Sequence, residues 1–237
     1  MNMEKGTYIV DKIIEEAKDI VTLCFVPESG EKMKFSAGQF LRVDLVLGAP
    51  NQSNKPYSIS STPKDPFLSI SVKKIGPFSS ALHELKVGDR VEISGPFGGM
   101  ATEDSMKKIV FIAAGIGIAP FYSMIKDLHE SDKMNKEIYL FYSNKTQMDA
   151  AFYEELRKIE EECKNFKLVH ILTRVSGESA QADEQKRLDV DILKKYVKNL
   201  QEQNYFLCGS VPFVTEISKI LETENINEEK IFAELFY

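Results

Sequence analysis

Short runs rich in β-branched and aromatic residues dominate the first hundred positions, and they predict strands at 8–10, 21–26, 40–47, 68–72 and 90–93. Turn formers separate them at 27–30, 48–54, 62–66 and 88–89, and one helix is expected over 79–85. Six or so strands in this length predict a small antiparallel barrel. Near residue 108 the period changes. Apolar strands at 109–113, 138–142, 166–172, 205–208 and 230–233 alternate with helical patterns at 120–128, 149–163, 190–200 and 212–223. That alternation predicts a doubly wound parallel sheet. The polar stretch 102–108 marks the boundary, giving expected domains 1–102 and 103–237. A polar insertion at 176–187 lacks apolar periodicity and reads as a mobile loop.

Composition agrees with this architecture and removes some functions. A chain of 237 residues, 43% hydrophobic and 28% charged, fits two globular domains. A net charge of −6 argues against nucleic acid and anionic membrane as partners. The longest apolar run, 109–122, is too short for a membrane span and contains two glycines and a proline. With no apolar leader at the N-terminus, a cytoplasmic protein without membrane insertion is expected. Cys24, Cys163 and Cys208 show no C-x-x-C spacing, so no iron–sulfur cluster, metal site or disulfide is expected. His83, His129 and His170 form no useful spacing and read as structural or surface residues.

Several short segments carry chemistry. In Lys55-Pro56-Tyr57-Ser58, proline favours an extended Lys55, so Tyr57 and Lys55 share a face. A ring, a hydroxyl and a cation together suit a flat hydrogen-bonding heterocycle with a phosphate; an ordinary edge strand is the alternative. In Gly76-Pro77-Phe78-Ser79-Ser80 a turn leads to a serine that starts a helix, which suits an anion or is a plain N-cap. Gly115-Ile116-Gly117-Ile118-Ala119-Pro120 lies between a strand and a helix, the setting of a pyrophosphate-binding turn, with proline at the usual third-glycine position. A ligand-free tight turn is the competing reading.

After the second parallel strand, Ser143-Asn144-Lys145 offers no carboxylate for ribose hydroxyls. Ser143, Lys145 and Arg174, with the adjacent Thr173, instead suit a 2′-phosphate, which favours NADP(H) while leaving NAD(H) possible. Cys208-Gly209 ends the fourth strand, where open α/β sheets bind ligands, and its small thiol suits a nicotinamide ring. Glu234, Phe236 and Tyr237 close the chain with a carboxylate and aromatics.

In this order, over about residues 8–237, these segments resemble the ferredoxin–NADP⁺ reductase superfamily. The resemblance implies an antiparallel flavin-binding barrel followed by a five-stranded nicotinamide-nucleotide domain. Lys55-Pro56-Tyr57-Ser58 is similar to the family's Arg-x-Tyr-Ser flavin motif, with Tyr57 on the isoalloxazine and Ser58 near N5. Gly76 to Ser79 matches the Gly-x-x-Ser pyrophosphate motif, which favours FAD over FMN. Val72, Lys73, Phe78 and Ser80 join the implied flavin contacts, and Gly95-Pro96-Phe97-Gly98 matches the turn ending the barrel. The nucleotide is implied on Gly115, Ile116, Gly117 and Pro120, on Ser143, Asn144, Lys145, Thr173 and Arg174, and on Cys208 and Gly209. Ser58, Cys208 and Glu234 then surround hydride transfer, with Phe236 or Tyr237 covering the flavin. Lys55 departs from the family arginine and loses its bidentate grip on phosphate.

The implied activity is NAD(P)H oxidation through FAD, with single electrons passing to a ferredoxin, a flavodoxin or an oxygenase component. Lys73-Lys74 and Lys107-Lys108 are candidates for a basic docking patch, and a monomer or weak homodimer is expected. Two alternatives stay open: a partner-independent reductase of free flavin, oxygen or ferric chelates, and a flavin-binding subunit without catalysis of its own.

Overall fold

The structure, a computed structural model, describes residues 3–45, 55–174 and 182–236. The expected turn at 48–54, part of the 176–187 insertion and Tyr237 lie outside the described residues. The chain forms two compact units, Met1–Ala101 with Ala119–Asp127, and Thr102–Ile118 with Leu128–Tyr237.

The first unit holds β1 (Glu4–Ala17), β2 (Ile20–Pro27), β3 (Phe40–Leu45), β4 (Lys55–Ser58), β5 (Leu68–Lys73), the helix α1 (Pro77–His83) and β6 (Arg90–Phe97). They build one antiparallel sheet in the order β4-β3-β6-β1-β2-β5. β1 runs well past the predicted 8–10 because register shifts between Val10 and Lys12 and between Glu15 and Ala17 break the two-residue alternation. β6 continues through Phe97, so the expected turn at 95–98 begins only at Gly98, whose φ is 86°. The two edges, β4 and β5, meet just beyond the end of β4. There Ile59 bridges Ile70, and the Ser60 N–H donates to the Ser69 carbonyl at 2.9 Å. Leu23, Phe25, Leu41, Ile70, Val91 and Ile93 fill the interior, all fully buried. Residues 119–127 add to this unit: the Ser123 hydroxyl donates to the Ser61 carbonyl at 2.6 Å, and the Lys126 ammonium sits 3.0 Å from the Asp65 carboxylate.

The second unit alternates strand and helix. It comprises β7 (Lys108–Ala114), a 3₁₀ turn at Gly115–Gly117, the two ends of α2 (Ile118–Glu130), whose middle belongs to the first unit, β8 (Glu137–Asn144), α3 (Tyr153–Glu162), β9 (Phe166–Leu172), α4 (Val190–Tyr196), β10 (Asn204–Ser210), α5 (Val211–Thr223) and β11 (Ile231–Phe236). All strand pairs are parallel, in the order β11-β10-β7-β8-β9. The winding reverses between β7 and β10, which makes the carboxyl ends of these two strands the topological switch point.

Three expectations need correction here. The helix predicted over 149–163 starts only at Tyr153, because Phe152 is left-handed (φ 59°) and turns its ring into the core. The helix predicted over 190–200 stops at Tyr196, with Asn199 left-handed at φ 53°. The end of the 176–187 insertion is no free loop: Glu184 bridges Ile171, so this stretch covers the β9 edge. The Asp183 carboxylate fastens it, accepting from the His170 N–H and from Arg157, both at 2.8 Å.

Candidate functional site

Each unit presents its own group of candidate residues. In the first, β3 pairs with β4 so that Leu41 faces Tyr57 and Val43 faces Lys55. Tyr57 is therefore half-buried against the barrel core while Lys55 and Pro56 stay exposed. The Tyr57 and Phe78 rings lie nearly parallel, 23° between planes with centroids 6.3 Å apart. Burial pushes the Tyr57 phenol up to about 12, so it is neutral at physiological pH. Ser58 is buried at the end of β4.

The Gly76–Ser80 segment differs from expectation in its cap. Gly76, not Ser79, is the N-cap of α1, and Ser79 is the third helical residue. The Ser79 hydroxyl folds back, accepting from the N–H groups of Ile75 (3.0 Å) and Gly76 (2.9 Å) and donating to the Gly76 carbonyl. Pro77 has no N–H, so only Phe78 and Ser79 carry amides ahead of the first intrahelical bond, Ser80 N–H to Gly76 O. Val72, before this turn, has its carbonyl 2.9 Å from His83 Nε2; Lys73 is half-buried and ends β5.

In the second unit the switch point gathers segments far apart in sequence. Gly115 is left-handed (φ 53°), which turns the chain from β7 into the 3₁₀ turn. Gly117 lies against the end of β10 so closely that a Cβ there would sit 2.3 Å from the Cys208 carbonyl oxygen and 2.9 Å from the Gly209 nitrogen. Ile116 is half-buried, and Pro120 is the third residue of α2, where its missing N–H costs no helical bond. Cys208 pairs with Glu234 across β10 and β11, although 26 positions separate them. Burial raises the Cys208 thiol well above its ordinary value and the Glu234 charge raises it further, so the sulfur is a neutral thiol. Phe236 pairs with Ser210 one strand-repeat on.

The ends of β8 and β9 are also joined. The Asn144 carbonyl accepts from the Thr173 N–H (2.9 Å) and hydroxyl (3.2 Å), and the Lys145 carbonyl accepts from the Arg174 N–H (2.9 Å). Ser143, Asn144, Lys145, Thr173 and Arg174 thus share one rim, with Lys145, Thr173 and Arg174 exposed. Sequence reasoning passed over one residue here. Asp149 is the first carboxylate after β8, and its oxygen accepts from the Thr146 N–H (3.0 Å) and hydroxyl (2.7 Å). The T-x-x-D spacing was the legible sign of that capping box.

Two of the four lysines expected to form a docking patch face carboxylates. Lys74 lies 3.9 Å from Glu84, Lys108 pairs with Glu202, and Lys107 donates to the Asp104 carbonyl. Among the described residues no helix is long and apolar enough to cross a membrane, and no cluster of three potential metal ligands forms.

An aromatic-walled strand edge thus lies on one unit and a glycine-rich switch point on the other. Residues 7–101 match the oxidoreductase FAD-binding domain family and residues 111–219 the oxidoreductase NAD-binding domain family. The chain thus carries an oxidoreductase FAD-binding domain followed by an oxidoreductase NAD-binding domain. It is 29% identical to a flavohemoprotein of Bacillus subtilis, covering 98% of this chain and 59% of that protein. It is 28% identical to a glycine betaine monooxygenase reductase subunit of Chromohalobacter salexigens, covering 95% of this chain and 62% of that one. The chain thus spans about six-tenths of the length of these curated relatives. The FAD/NAD-binding domain of nitric oxide dioxygenase from Vibrio cholerae has the same fold, with a TM-score of 0.87 at 20% identity over 98% of this chain and 99% of that one.

Proposed function

We propose that this chain is the reductase unit of an NAD(P)H-dependent electron-transfer system, taking hydride from the nicotinamide and passing electrons singly to an acceptor outside these 237 residues. The pairing of Cys208, at the β7/β10 switch point, with Glu234 on the adjacent β11 carries this reading, because it sets a neutral thiol and a nearby carboxylate where an α/β sheet holds its ligand. The residues fit both groups. Nothing lies within 4 Å of where a Gly115 Cβ would stand, so the turn leaves room for a ligand there, and Tyr57 offers a half-buried neutral ring beside buried Ser58. Bound FAD supplies the hydride-accepting and one-electron chemistry.

The chain's residues have the following roles. Tyr57 gives the flavin ring a face, Ser58 a hydroxyl near its reacting nitrogen, and Gly76–Ser80 the amides nearest the pyrophosphate. Gly115–Gly117 would receive the nucleotide pyrophosphate, and Cys208 would lie beside the nicotinamide without attacking its electron-poor ring, since the protonated thiol is a poor nucleophile. Lys145 and Arg174 receive the 2′-phosphate of NADPH. The cap formed by Asp149 supports that preference over NADH, because it engages the first carboxylate after β8.

The acceptor is proposed as a separate iron–sulfur, flavin or haem carrier, since Cys24, Cys163 and Cys208 cannot ligate a cluster. The test uses Ser58→Ala, Cys208→Ala and Glu234→Gln. Each is expected to keep FAD and to slow flavin reduction by about 10²-fold, the usual scale for losing one positioned catalytic group. Wild-type reduction rates in all three would overturn the assigned site.

A further inference from the structure

The seam between β4 and β5 contains a row of buried hydroxyls that the reading above leaves unused. Thr22 Oγ1 lies 2.7 Å from Ser71 Oγ, Ser71 Oγ donates to Ser60 Oγ at 3.0 Å, and Ser60 Oγ lies 2.8 Å from Ser69 Oγ. The Ser69 N–H donates to Ser61 Oγ at 2.9 Å. Every member is at most 4% exposed. Because the only Ser71 proton goes to Ser60, Thr22 must be the donor to Ser71, so that end of the row has a fixed polarity. Ser69 and Ser71 alternate along β5 with core residues Leu68, Ile70 and Val72, so the row occupies the strand face opposite the apolar interior.

This location matters because β4 and β5 are the two edges of the sheet and are not joined by a strand ladder. Tyr57 and Ser58 precede the row on one edge; Val72 and Lys73 follow it on the other. Beside the Ile59–Ile70 bridge and the Ser60-to-Ser69 backbone bond, side-chain hydroxyls connect these edges. Ser60, which reaches both Ser69 and Ser71, is the link between them.

We propose that Ser60, through its hydroxyl bonds to Ser69 and Ser71, is a positioning residue that fixes the spacing of the two strand ends on which flavin binds. The proposal rests on the assignment of Tyr57, Ser58, Val72 and Lys73 to the flavin. Ser60→Ala leaves the Ser71 proton and the Ser69 hydroxyl stranded in a dry seam, so the edges relax apart until those groups find other partners. Ser60→Thr restores the hydroxyl. Thr22→Val keeps the side-chain shape at the remote end and removes only the first donor, so it serves if Ser60→Ala does not fold.

The experiment titrates FAD into flavin-stripped protein, well below its melting temperature, by flavin fluorescence, and records the visible spectrum of the bound flavin. Ser60→Ala is expected to weaken FAD binding about tenfold, the scale of one net hydrogen bond, and to blur the fine structure of the flavin band. Ser60→Thr should return to within about twofold and Thr22→Val should lose about threefold, as the end of the row counts for less than its centre. Wild-type affinity and spectrum in both Ser60→Ala and Thr22→Val, with only a lowered melting temperature, would show an ordinary structural cluster and overturn the proposal. Failure of the wild-type protein itself to bind FAD would instead overturn the flavin assignment beneath it.

Discussion

Replacing Gly117 by alanine tests the second-unit site through a contact whose size is known. The new Cβ would stand 2.3 Å from the Cys208 carbonyl oxygen, 2.6 Å from its carbon and 2.9 Å from the Gly209 nitrogen. All three are backbone atoms, so no rotamer change relieves the clash. An ordinary contact requires the 3₁₀ turn and the end of β10 to separate by about 1 Å, which as overpacking costs roughly 1–3 kcal/mol. For a chain of this size that lowers the melting temperature by roughly 2–12 °C. The catalytic effect should be larger, because a displacement of about 1 Å in a reacting pair can cost about 10²-fold in rate. FAD content should be unchanged, since the Tyr57 and Gly76 segments are untouched. The assay is anaerobic reduction of the FAD-loaded variant by NAD(P)H beside thermal melts, with Gly99→Ala as the control because nothing lies within 4 Å of its added Cβ. A Gly117→Ala protein with wild-type melting and wild-type reduction would refute both the packing argument and the place of the nicotinamide site.

The double variant Lys145→Ala/Arg174→Ala should raise KM for NADPH at least about tenfold and leave NADH nearly unchanged, as measured by steady-state kinetics with each nucleotide. Arg157→Met removes a guanidinium that donates to Tyr153, Glu160, Asp183 and the Leu168 carbonyl, all partly buried. It should destabilise the second unit by about 2–4 kcal/mol in denaturant unfolding. Burial pushes the Asp183 carboxyl up, but the His170 N–H and the Arg157 guanidinium outweigh it and hold the group below its ordinary value. Its contribution is therefore complete above a pH of about 4 and fades as pH falls through the lowered value. Asp183→Asn should flatten that acid limb of the stability profile, and an unchanged limb would remove Asp183 as its source.

The strands and most helices were legible because runs such as 109–113 and 166–172 are apolar enough to declare their burial. Elements failed where tertiary packing overrode local preference. A phenylalanine in left-handed backbone is costly by itself, and Phe152 adopts it because its ring is buried. The polar 182–184 segment gave no periodic signal because it is held on β9 by single side chains such as Asp183. The motifs of the site were readable one by one, since glycine turns and the Tyr57-Ser58 pair are local. The nearness of Cys208 and Glu234 was readable only through the family resemblance, as no local pattern says that β11 lies next to β10. The hydroxyl row was not readable, as its members come from three separate segments.

The central claim is that nicotinamide and flavin exchange hydride on this chain. Its most direct test mixes FAD-loaded protein with NADPH, and separately with NADH, under anaerobic stopped flow while following the flavin band. The account predicts rapid bleaching, faster with NADPH. A flavin that stays bound and oxidised with both nucleotides would contradict it.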